Sequence, residues 1–220
     1  MRFVSEISEK QRRDIVINQL VVANIIDEKV ISVVSNFPRS LFLNPEIATC
    51  GNSDSAIEYK NNRYLLDTAT IGSMVEMANF KSSDIVLLIG SGLGYGAAII
   101  SKFVSRVICI EEDEELVSIA QENLKKLGVF NVEIHERSIK NFNLIHPFNR
   151  IFFEGAFAET PKEIIEMLDQ KVDLMAIHRE NNLSQIINAK LIDNKVIIKY
   201  GRHTPTPCTK GFEKKETFSF

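Results

Sequence analysis

The sequence predicts an α/β domain on a mostly parallel seven-stranded sheet that ends in antiparallel strands, with a helical extension in front. Three observations carry this. Short apolar runs such as Ile85 to Ile89 and Arg106 to Ile110 fit strands buried on both faces, and they alternate with helical patterns. Glycines at alternate positions, Gly90, Gly92 and Gly94, join the first of those runs to an apolar helix over Ala97 to Val104. Near the end, Ile186 to Leu191 and Lys195 to Tyr200 are β-rich runs separated by a short polar turn, which predicts a hairpin.

The remaining elements follow in order. Residues 9–25 place Ile15, Ile17, Leu20, Val21 and Ile25 at mostly helical spacing. Asp27 can cap a second helix carrying Val30, Ile31, Val33 and Val34, and Pro38 ends it by disfavouring helical geometry at Phe37. Residues 38–63 form a long, polar, Asn-rich connection with little periodicity. Leu65 to Phe80 predict a third helix. After the glycine turn, Glu114 to Leu127 predict an amphipathic helix stopped by Gly128. Strands are expected at Asn131 to His135, Arg150 to Phe153 and Val172 to His178, with a helix at Glu163 to Leu168. The tail, Glu216 to Phe220, alternates as an edge-region strand would.

At 220 residues, 45% of them hydrophobic, the chain suits one well-cored domain. The expected division is a helical N-terminal extension with its following loop over residues 1–80 and an α/β core over 81–220. A net charge of −3 gives no basis for a nucleic-acid surface. No apolar run approaches the ~18–20 residues needed to cross a bilayer. Cys50, Cys109 and Cys208 are few and far apart, which fits a reducing, cytoplasmic setting. They form no CxxC or CxxH pair, and the four histidines are scattered, so no metal site is expected.

Strand, glycine turn, helix, strand and acid make the first half of a nucleotide-binding unit. Gly90 and Gly92 can adopt positive φ and admit a ligand close to the backbone. Glu111, about twenty positions after Gly90, stands where such folds use a carboxylate to accept hydrogen bonds from ribose hydroxyls. A cofactor containing adenosine is the expectation. Gly92, Gly94 and Ala97 also satisfy the G-x-G-x-x-A pattern of nicotinamide and flavin enzymes, so a small NAD(P)-binding oxidoreductase is an alternative. Against it, much helical sequence precedes the turn, and too little chain follows for a second mononucleotide half.

These blocks, in this order, resemble the protein-L-isoaspartate O-methyltransferase family of S-adenosylmethionine enzymes, with a Rossmann-like methyltransferase fold. Arg13 to Leu43 is similar to that family's N-terminal helices, IVLLIGSGLGYGAAIIS to its cofactor loop, and HPFNRIFFEGAFAETP to its fourth strand and following loop. The resemblance implies that S-adenosylmethionine is held by Gly90, Ser91, Gly92, Gly94 and Tyr95. It implies that Glu111 holds the ribose diol, that Glu112 lies near the adenine, and that Glu154 and Gly155 border the transfer site. A protein or peptide acceptor is implied, and a role in protein repair.

The chain departs from the family pattern at three places. Leu88 stands where the family has an acid that neutralises the cofactor's ammonium group. Ser138 stands where an Asp binds the adenine amine, and Tyr64-Leu65-Leu66 replaces a Thr-Ile-Ser segment at the substrate site. These changes make a homologue that binds the cofactor without transferring its methyl group a further alternative. Methyl transfer to a carboxylate depends chiefly on alignment of nucleophile and methyl group, so no catalytic residue is assigned.

Overall fold

The computed structural model describes residues 8–141 and 147–214, so the strand expected at 216–220 lies outside the described residues. Two helices open the chain, α1 (Glu9–Ile15) and α2 (Glu28–Asn36). A two-stranded hairpin follows, β1 (Ile57–Lys60) and β2 (Arg63–Leu65), and then α3 (Thr68–Ala78). The central units are β3 (Ile85–Ile89), α4 (Tyr95–Ile100), β4 (Arg106–Glu111), α5 (Glu114–Lys126) and β5 (Val132–Glu136). The last are β6 (Arg150–Phe157), α6 (Lys162–Met167), β7 (Asp173–Glu180), β8 (Leu183–Ile192) and β9 (Lys195–Thr204).

Seven strands form one sheet in the order β5-β4-β3-β6-β7-β8-β9, parallel through β7 and antiparallel at β8 and β9, as the sequence predicts. Strand order reverses direction at β3, so a crevice opens between the carboxyl ends of β3 and β6, where such sheets bind ligands. Because side chains alternate across a strand, β3 feeds both faces. Val86 and Leu88 pack with Cys109 and Phe152 under α1 to α5. Leu87 and Ile89 pack with Ile108, Ile110 and Phe153 beneath α6.

Three tight turns close the antiparallel pairs, and each uses two residues at positive φ: Asn61-Asn62, Asn181-Asn182 and Asp193-Asn194. That is the requirement of a type I′ turn, whose twist matches the strands it joins.

One expectation is corrected. The helix over residues 9–25 is not continuous: α1 ends at Ile15 and a π-helical turn, Val16–Val21, carries the chain on. The wider turn rotates Leu20 fully inward and leaves Ile17 and Val21 exposed, against their helical spacing. The connection over 38–63 is organised around one buried residue. Arg39 is fully buried, and its guanidinium donates to the carbonyls of Gly51 (3.1 Å), Ser55 (2.8 Å), Leu66 (3.5 Å) and Ser53. The polar segment is wound around one cation.

At the other end of the sheet, buried Asp84 accepts from the Lys81 N–H (2.9 Å), Asn149 (2.7 Å) and Arg150 Nε (3.0 Å). Burial alone would raise its pKa; the Lys81 N–H, Asn149 and Arg150 outweigh it and hold the pKa below the usual value. A depressed folded pKa contributes stability that is present above the unfolded value, about 3.9, and lost as pH falls below that value through the folded pKa. The wild type should therefore lose stability in urea between pH 5 and pH 3. Asp84→Asn should be weaker at pH 7 and show a shallower slope over that window. Equal slopes for the two proteins would remove Asp84 as a contributor.

Candidate cofactor cleft

Beyond Ile89 the chain turns through Gly90 (φ 78°), Gly92 (φ 49°) and Gly94 (φ 87°), a left-handed path that favours glycine. The Gly90 N–H donates to the Ile110 carbonyl (2.9 Å) and the Gly94 N–H to the Ser91 carbonyl (2.7 Å). Asn123, reaching from α5, donates to the Leu93 carbonyl (3.0 Å). The loop is thus held rigidly between β4 and α5. Helix α4 begins at Tyr95, two residues ahead of the expected Ala97.

Glu111 ends β4 and is 2% exposed. Its carboxylate accepts from the backbone N–H groups of Gly92 (2.9 Å), Glu112 (3.0 Å) and Asp113 (3.3 Å). It is also clasped by the Arg63 guanidinium, Nη1 to Oε1 at 2.9 Å and Nη2 to Oε2 at 2.5 Å. Burial works against the charge on Arg63, but Glu111 and Tyr59 together offset it and the guanidinium's pKa is raised. Two parallel charge-assisted bonds are among the strongest pairings available to side chains. The carboxylate expected to hold a ribose diol is therefore engaged by the protein itself.

The hairpin of β1 and β2 delivers that arginine. Tyr59 from β1 lies over the loop so closely that a Cβ at Gly92 would stand 2.2 Å from its hydroxyl oxygen. Lys60 pairs with Asp113 (2.7 Å) and Glu115 (2.6 Å) at the start of α5. Sequence reasoning missed Tyr59 and Arg63 as part of the site.

Opposite the hairpin, β6 loses register with β7 between Phe152 and Ala156. Such irregularities re-aim side chains beside functional clefts. Here Glu154 turns inward, 9% exposed, its Oε1 accepting from the Gly96 N–H (2.9 Å). Its Oε2 has no hydrogen-bond partner, and neither does the fully buried Ser91 hydroxyl. Burial pushes the Glu154 carboxyl up to about 8, against the Gly96 N–H and the Arg63 charge.

Of the expected site residues, Gly90, Glu111, Glu112, Ser138 and Glu154 come together around one cleft. Ser91 lies buried just behind it, and Gly92 is covered by Tyr59. The others lie elsewhere. Gly94 packs on Ala120, and Gly155 is covered by the Thr209 side chain. Tyr95 is fully buried in the core, its ring edge-on to Phe42 at 5.2 Å, because the first turn of α4 faces the N-terminal helices. Leu88 is likewise core, beside Cys109 and Phe152 in the sheet register. Leu65 and Leu66 are buried as well, so where the resembled family has polar residues this chain presents apolar packing.

The cleft holds about 40 Å³. That is space for a few waters at ~10–15 Å³ each, whereas small-molecule sites span ~300–1,000 Å³. The nucleoside end of a cofactor does not fit that space as the hairpin lies. The glycine cradle, the two buried polar atoms without partners and a carboxylate at the end of β4 do fit one once Arg63 leaves.

Solved structures with this fold include a Plasmodium falciparum chain bearing the name protein-L-isoaspartate O-methyltransferase, in complex with S-adenosyl-L-homocysteine. It superposes with a TM-score of 0.73 at 17% identity, covering 93% of this chain and 99% of that one. The relative from Methanoregula boonei, named protein-L-isoaspartate O-methyltransferase, is 29% identical over 73% of this chain and 75% of its own length. The one from Cupriavidus necator, protein-L-isoaspartate O-methyltransferase 2, is 30% identical over 68% of this chain. This chain spans about half the length of that relative, 51%. The family model for protein-L-isoaspartate(D-aspartate) O-methyltransferase matches residues 10–205. A match running from α1 through β9 takes in the sheet, the glycine loop and the hairpin alike, and the chain belongs to that family.

Proposed function

We propose that this chain binds S-adenosylmethionine at the carboxyl ends of β3, β4 and β6 and transfers its methyl group to a carboxylate of an isoaspartyl-containing protein or peptide. The observation that carries the reading is the pairing of the left-handed glycine loop with Glu111 at the end of the next strand, inside a chain of this family. Glu111, flanked by Gly90, Glu112 and Ser138, would receive the ribose and adenine, and Ser91 and Glu154 the amino-acid end. The bound cofactor supplies an electrophilic methyl group. The protein's share is alignment and exclusion of water, for which a buried cleft closed by a hairpin is suited.

Calorimetric titration with S-adenosylhomocysteine, followed by methyl transfer to an isoaspartyl peptide beside its aspartyl isomer, tests this. Binding at micromolar concentration or tighter, with transfer to the isoaspartyl peptide, is the expected result. Absence of heat at millimolar ligand would remove the cofactor assignment. Binding without transfer would leave a cofactor-binding homologue.

A further inference from the structure

Glu154 is an anomaly in the cleft wall. It is nine-tenths buried and borders the cleft; one oxygen serves the Gly96 N–H, and the other, equally buried, has no partner. A buried carboxyl half-satisfied in this way is costly, and such groups are retained where something else completes them. Glu111 cannot take a second ligand group in the closed state, since its oxygens already accept from Arg63 and three backbone amides. Leu88, next to Phe152 across β3 and β6, brings no charge to the same side of the sheet. Glu154 is thus a half-satisfied buried carboxyl beside the glycine loop.

Resting on the cofactor reading above, we propose that Glu154 is the specificity-determining residue that recognises the cationic ammonium of the cofactor's amino-acid end. The local arrangement supports a charged role over a structural one. A glutamine would hold the Gly96 N–H equally well, so anchoring α4 does not need an acid. Arg63, whose charge acts on Glu154, is itself spent on Glu111. Burial keeps the empty site neutral by favouring the protonated carboxyl, and a bound ammonium would favour the ionised form.

The test compares Glu154→Gln with wild type against two ligands: S-adenosylhomocysteine, which carries the ammonium, and methylthioadenosine, which lacks the whole amino-acid end. A lost charge-assisted hydrogen bond corresponds to roughly 10- to 100-fold in affinity. The variant should therefore bind S-adenosylhomocysteine at least about tenfold more weakly while its affinity for methylthioadenosine stays within about twofold. A ligand-side deletion checks the same point without a mutation: the deaminated analogue of S-adenosylhomocysteine should bind wild type weakly and the variant no worse. Unchanged binding of S-adenosylhomocysteine by the variant, or an equal loss for both ligands, would overturn the assignment while the cofactor reading survives. Wild type that binds neither ligand would overturn both.

Discussion

Arg63→Ala should lower the stability of the ligand-free protein by about 3–5 kcal/mol and at the same time tighten S-adenosylhomocysteine by about tenfold or more. The two effects have one origin. Removing the guanidinium leaves Glu111, with a side chain 1% exposed, as a buried charge compensated only by backbone N–H groups. That penalty falls on the closed state. A ligand whose hydroxyls reach Glu111 must displace two charge-assisted bonds in the wild type and none in the variant. Urea unfolding with and without S-adenosylhomocysteine reads the first effect and calorimetry the second. Ligand should restore to the variant more stability than it adds to wild type. A variant equally destabilised but with unaltered affinity would mean that Arg63 and the ligand do not compete, and that the hairpin is a fixed wall of the site.

The other large effect is expected at Arg39. Substitution by Met keeps much of the apolar stem's volume but strips partners from the carbonyls of Gly51, Ser53, Ser55 and Leu66. Each unsatisfied buried acceptor costs ~1–3 kcal/mol, and relaxation of the segment toward water recovers part of it. A net loss of about 3–5 kcal/mol follows, seen as a lower urea midpoint. Because Leu66 joins β2 to α3, the variant should also loosen the hairpin, read as faster hydrogen exchange at Tyr59 and Arg63. Wild-type stability in Arg39→Met would show that the segment holds itself together without the cation.

The sheet was legible because its signals are local. Ile85 to Ile89 and Arg106 to Ile110 are apolar runs too short for helices, and the strands after Val172 carry their own period. The glycine loop was legible for the same reason: a left-handed turn demands its residue on the spot. Arg39 and Arg63 were illegible because their partners are remote in sequence, and an arginine in a polar connection reads as solvated. One local signal was available. Asn61-Asn62 sits between Ile57-x-Tyr59 and the Arg63-Tyr64-Leu65 run, a two-residue turn chemistry that marks a hairpin. Tyr95, adjacent to the glycines, lies in the core. Its spacing to Ile99, one helical turn on, puts it on the face that packs into the core.

The paired left-handed turns also bear on how the chain reaches this topology. Joining β3 to β6 means bringing Val86 to Arg150 across all of α4, β4, α5 and β5. The entropy of closing a loop rises by about 0.6 kcal/mol per doubling of its length, and parallel pairing must bear that cost before contacts reward it. Strands β7, β8 and β9 face no such search. Asn181-Asn182 and Asp193-Asn194 bring their partners together through two residues each, on the ~1–10 μs scale of an isolated hairpin, and set the register of Ile177 on Ile186 and Lys190 on Ile197 as they do so. The last part of the sheet to leave the ribosome is thereby the quickest to assemble. It offers a ready edge on which β6, and the cleft it walls, can settle.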